Sequence, residues 1–124
     1  MANEFHEPRE RLSEHSLDVK RAIDSMREEL EAIDWYRQRM QVASSRELRD
    51  ILDHHQREEV EHFAMLLEWC RRNDADFAEM LREYLFTDRP ILQVEEAAEG
   101  GDGQGAAVDE SRRRTIGRID EGRR

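Results

Sequence analysis

The chain has 124 residues, of which 40% are charged and 6% aromatic, and its formal net charge is −10. A chain this short makes at most one small domain and has little material for a core. Its acidic balance argues against a nucleic-acid binder, whose phosphates it would repel, and favours a protein that draws cations to its surface.

The single Cys70 excludes an internal disulfide and a thiolate zinc site. The opening stretch, MANEFHEPRERLSEH, is polar and partly acidic, unlike a secretory leader. No apolar run approaches the roughly 20 residues that span a bilayer. A cytoplasmic protein without nucleic-acid or membrane partners is expected. Glu, Arg, Ala, Leu and Met dominate, all good helix formers, and an all-α fold is predicted.

Residues 1 to about 8 read as a loose lead-in ending at Pro8. A first helix is expected after Ser13, with Glu14 and Asp18 near the positive end of its dipole. Its apolar residues Val19, Ile23, Met26, Leu30 and Ile33 step by four and three, the spacing of a bundle seam. ASSRE, residues 43–47, reads as a turn with Ser45 as N-cap of a second helix. There Leu48, Leu52, His55, Glu59, His62, Leu66 and Trp69 step by four and three again. A third, shorter helix is expected from about Asp74 to Leu85, ended by TDRP because Pro90 disfavours helix in the residue before it. The predicted domain is 1–92. Residues 93–111, rich in Gly, Ala and acid, are expected to form a disordered linker, and 112–124 a functional tail.

Two long antiparallel helices and a short third make a hairpin rather than a self-sufficient domain. On the first helix a second stripe, Met26, Glu29, Ile33, Tyr36 and Met40, carries a carboxylate among apolar residues. Glu59 and His62 are neighbours on one helix face. Burying three such groups is costly without compensation, and carboxylate plus imidazole suits iron, manganese or zinc. A Glu-x-x-His pair alone arises often by chance on a solvated face. Here, however, one Glu and one Glu-x-x-His are half of the ligand set of a ferritin-like di-iron bundle. Two copies of the chain would complete both the ligands and a four-helix bundle. The expectation is a homodimer with the metal site at its interface, where four carboxylates balance two divalent ions.

His6, His15, His54 and His55 read as surface residues. His54, Glu58 and Glu61 share one face, as do Asp24, Glu28, Glu31 and Trp35. Each set is either a solvated acidic face or a weaker cation site, for calcium, zinc or manganese, on the ions' way in.

The blocks MREELEAIDWYRQRM, REEVEHFAMLLEWCRRNDADF and REYLFTDRPI together resemble the encapsulated ferritins, short ferritin-like proteins packaged inside bacterial encapsulin shells. The match spans roughly residues 5–92, in order and at the right spacing. The resemblance implies a ferroxidase with iron ligands at the second Glu of EELEA and the Glu and His of EEVEH: Glu29, Glu59 and His62, the three reached from periodicity. It further implies that Tyr36 lies beside the ligands and that Trp35 borders the passage ions take. Glu28 with Glu31, and His54 with Glu58 and Glu61, would form secondary ion sites. It implies a ring-shaped decamer of dimers, with the third helix making ring contacts. TIGRI in the tail is similar to an encapsulin cargo-loading peptide. Thr115, Ile116, Gly117 and Ile119 would bind the shell, although Arg118 stands where the family more often has a small residue. The expected product is ferric iron for storage within the shell, in the bacterial cytoplasm. A different class remains open: a non-catalytic, metal-assembled helical cargo or scaffold protein.

Overall fold

The computed structural model describes residues 5–100. The described chain is all-helical: a single 3-10 turn at Arg9–Arg11, then α1 (Glu14–Val42), α2 (Arg46–Asn73), α3 (Ala75–Tyr84) and α4 (Ile91–Gly100). It divides into two compact units, one ending at Asn73 and the other beginning at Asp74. No described helix is long and apolar enough to cross a membrane.

In the first unit α1 and α2 form an antiparallel hairpin, and the expected caps set its ends. Ser13 Oγ accepts from the Ser16 amide at 3.0 Å, and Ser45 Oγ from the Leu48 amide at 3.2 Å. Each satisfies one of the orphan amides at a helix start. The lead-in is held back on α1 by Phe5, whose ring lies under both Lys20 Nζ (4.8 Å) and the Arg9 guanidinium (5.6 Å). At the far end of α2, Glu68 takes both Arg71 and Arg72, each bond 2.7 Å.

The seam differs in detail from the predicted stripes. On α1 the buried residues are Leu17, Ala22 and Met26, while Leu30 of the first stripe is exposed. The second stripe, with Glu29, Ile33, Tyr36 and Met40, is the half-buried one. On α2, Leu52, Gln56 and Cys70 are buried, whereas Leu48 and His55 are exposed. The reason is geometric. A straight helix at 3.6 residues per turn drifts about 20° per heptad against a strict seven-residue pattern, and over 28 residues the seam moves onto neighbouring positions.

In the second unit, Asp74 caps α3 by accepting from the Phe77 amide at 3.0 Å. The helix ends as Phe86 turns into the left-handed region (φ 63), its side chain wholly exposed. Thr87 Oγ1 donates to the Tyr84 carbonyl at 3.0 Å. One expectation is corrected here. Residues 93–100, assigned by composition to a disordered linker, belong to helix α4, with Val94 buried. α3 ends before TDRP as expected, and Pro90 then starts a further helix. Its carbonyl accepts from the Gln93 and Val94 amides, and a proline just before a helix costs no internal bond. Residues 101–111 of that linker and the tail at 112–124 lie outside the described residues.

Candidate metal centre

Glu29 lies midway along α1, and Glu59 and His62 are one turn apart on α2. The antiparallel pairing brings them together across the seam. One donor atom from each lies within 4.8 Å of the other two, the sole group of three metal-ligating side chains among the described residues. His62 Nδ1 is 2.9 Å from Glu59 Oε1 and 3.8 Å from Glu29 Oε2. The two carboxylates are mostly covered, with 23% and 22% of their side chains exposed, while His62 is 45% exposed. The site is therefore buried on the hairpin side and open on the other.

The electrostatics are those of a site short of positive charge. The Glu29 carboxyl is pushed up, first by burial, then by its hydrogen bond to Glu59 and by that neighbour's charge. Glu59 is pulled down, first by the hydrogen bond from Glu29, then by that from His62. His62 is raised, chiefly by its bond to Glu59. These shifts favour protons on Glu29 and His62 over one on Glu59. Two carboxylates and an imidazole arranged in this way fit a divalent transition-metal ion, which would take the place of those protons.

The remaining predicted residues fall as follows. Tyr36 makes its ring contact with His55, edge to face at 5.2 Å, and the Arg39 guanidinium lies 5.4 Å over its ring. The same guanidinium lies 6.0 Å over Trp35, which lines a shallow hollow with Gln38 and Arg39. Glu28 and Glu31 are exposed, and Glu28 adds to the upward push on Glu29. Asp24, on the same acidic face, is bridged to Lys20 (3.1 Å) and Arg27 (3.5 Å). His54 Nε2 and Glu58 Oε2 are 3.9 Å apart, but Glu61 does not complete a three-ligand group with them. Thr115, Ile116, Gly117 and Ile119 lie outside the described residues.

Two features escaped the sequence reading. His55 is exposed, as expected of a surface residue, yet it also helps hold down the Glu59 carboxylate and meets Tyr36 edge to face. Its place one turn before Glu59 on the same stripe was the available signal. Gln56 is the one polar residue among the buried ones described, and Arg37 reaches it from α1. No periodicity argument singles out a glutamine, because its amide is at home on either face.

The profile of the EncFtn-like family matches residues 4–88. The encapsulated ferritin-like protein of Rhodospirillum rubrum is 53% identical over 104 residues, covering 84% of this chain and 74% of that protein. The ferritin-like protein of Thermotoga maritima is 48% identical over 101 residues, covering 82% of this chain and 89% of its own length. Among solved structures, a protein of Nitrosomonas europaea superposes with a TM-score of 0.67 at 52% identity, covering 70% of this chain and 97% of that one. With its hairpin, its Glu/Glu/His cluster and these matches, the chain belongs to the EncFtn-like family of ferritin-like proteins.

Proposed function

We propose that the chain is a ferroxidase, oxidising Fe2+ to Fe3+ at a di-iron site shared between two identical subunits. The observation that carries the reading is the convergence of Glu29, Glu59 and His62 with donor atoms within 4.8 Å of one another. One chain supplies three ligands, too few for two ions, and its cluster is open on one side. A second copy facing it would bring the set to four carboxylates and two imidazoles. The exposed apolar residues Leu30, Val60 and Met65 of the hairpin give such a copy something to cover.

Iron is the substrate, and each Fe2+ gives one electron to an oxidant, dioxygen or peroxide. The chain's own groups do the rest. Ion binding requires Glu29 ionised and one nitrogen of His62 free, the forms that the raised pKa values of the metal-free cluster disfavour. Four carboxylates then offset the four charges of two divalent ions. Carboxylates can change between one- and two-oxygen binding, which lets one ligand set accept both oxidation states. Tyr36, paired edge to face with His55, follows Glu29 on the same stripe of α1, and Trp35 beside Arg39 is assigned to the ions' approach. Glu28 with Glu31, and His54 with Glu58, are assigned as weaker cation sites that deliver ions inward; Glu61 completes no three-ligand group there within one chain.

An open hairpin has no interior in which to hold mineral. We assign storage to an encapsulin shell, reached through the tail residues Thr115, Ile116, Gly117 and Ile119, with subunits assembled as a ring-shaped decamer. The name of the Rhodospirillum rubrum relative supports this compartment. An iron-oxidation assay combined with anomalous diffraction at the iron edge tests the reading. Turnover, with iron between the Glu29/Glu59/His62 groups of two subunits, is the expected result. Metal-driven assembly without turnover would instead make the chain a scaffold.

A further inference from the structure

Gln56 is buried, with 8% of its surface exposed, the one polar residue among the buried ones described. Both ends of its amide are engaged. Arg37 Nε donates to Gln56 Oε1 at 3.0 Å across the seam, and Gln56 Nε2 donates to Asp53 Oδ1 at 3.2 Å. Asp53 Oδ2 in turn takes Arg57 Nη2 at 3.0 Å. A relay thus runs from α1 to the outer face of α2, one turn before Glu59.

We infer that Arg37 and Gln56 are positioning residues. Their cross-helix bond sets the axial and rotational register of the hairpin, and with it the meeting of Glu29 with Glu59 and His62. The inference rests on the metal reading above. The physical case has three parts. Aliphatic seams repeat, and neighbouring alignments of α1 on α2 bury similar surface; a single buried polar group breaks such degeneracy because only one alignment satisfies it. The connection at residues 43–45 is short but does not lock the register, since either helix can lengthen it by fraying a turn. Finally, the tolerance is narrow: a slide of one turn, about 5 Å, would carry Glu29 out of reach of its two partners. Misalignment leaves Gln56 buried without its donor, a cost that returns the helices to the ligand-forming alignment.

The test uses the full chain with spin labels on cysteines placed at Arg27 and Asp50. Labelled chains are diluted into unlabelled ones so that only distances within a chain are read, and the fully buried Cys70 is left in place. Gln56→Leu keeps the volume and suits the seam. It is expected to retain helix content and thermal stability, while the metal-free label distance shifts or broadens by several ångström and Co2+ binds at least about tenfold more weakly. Gln56→Glu, which still accepts from Arg37 but no longer donates to Asp53, should recover the label distance in part. Arg37→Met removes the donor from an exposed position and decides the matter should Gln56→Leu fail to fold. Unchanged label distances in Arg37→Met and in folded Gln56→Leu would overturn the inference. A parent chain that takes up no Co2+ would defeat the metal reading instead, and the label distances would still decide the register.

Discussion

His62 Nδ1 hydrogen-bonds Glu59 Oε1 at 2.9 Å, one turn away on the same helix, and this local pair is the half of the site that α2 builds alone. Glu29 must come from α1 to complete it. Removing either member of the pair therefore leaves the hairpin standing and destroys the donor set. Glu59→Ala and His62→Ala should each slow Fe2+ oxidation at least about 100-fold, beyond the usual effect of losing a group that merely supports a ligand. Far-ultraviolet circular dichroism should show unchanged helix content. Parent-like oxidation rates in both variants would sink the ligand assignment.

Metal uptake should be steeply pH-dependent. His62 sits above its ordinary 6.5 and Glu29 above its ordinary 4.5. Each raised group stabilises the metal-free cluster while protonated. That contribution is complete below the ordinary value and is lost as pH rises through the raised one. Metal binding must displace the same protons, and affinity should climb as pH rises past 6.5. Calorimetry with Co2+ in buffers of differing ionisation enthalpy reads the protons released directly; an affinity independent of pH would contradict this proton count.

Leu30 and Met65 are exposed leucine and methionine side chains on the two hairpin helices. Leu30→Glu and Met65→Glu should shift the chain toward monomer in analytical ultracentrifugation, because a charge in an apolar interface has no partner there. The isolated hairpin should fold no worse, since neither residue is in its core. A sedimentation profile like the parent's would place the subunit contact on another face.

Glu68 carries two arginines and is lowered from 4.5 to about 2. A depressed carboxylate contributes stability above its ordinary value and loses it as pH falls through the depressed one. The end of α2 should hold above pH 4.5, weaken progressively as pH falls from 4.5 to about 2, and have lost this support below that, which amide exchange along Arg71, Arg72 and Asn73 can follow. In Glu68→Gln the same amides should exchange faster already at neutral pH.

Asp74 caps α3 through the Phe77 amide. Asp74→Ala should cost about 1 kcal/mol of stability, read as a lower thermal midpoint, while Asp74→Ser should recover most of it.

Much of this protein is legible in its sequence because the deciding interactions are local. Ser13, Ser45 and Asp74 announce helix starts within three residues of the amides they cap. Glu59 and His62 meet by helical pitch alone, whatever α1 does. The all-α class followed from the same short-range logic. Where composition stood in for geometry, it failed: the acidic, alanine-containing stretch after Pro90 reads as linker, yet a proline at a helix start and the burial of Val94 make it α4.

The tertiary structure alone decided which faces meet. A repeat of threes and fours cannot tell Leu30 from Glu29 as the seam residue, because adjacent positions lie only about 100° apart and the true period drifts against the heptad. The packed hairpin turned Leu30 outward, drew Gln56 inward, and set Tyr36 on His55. Each outcome depends on a contact between residues far apart in the chain, where no local propensity reaches.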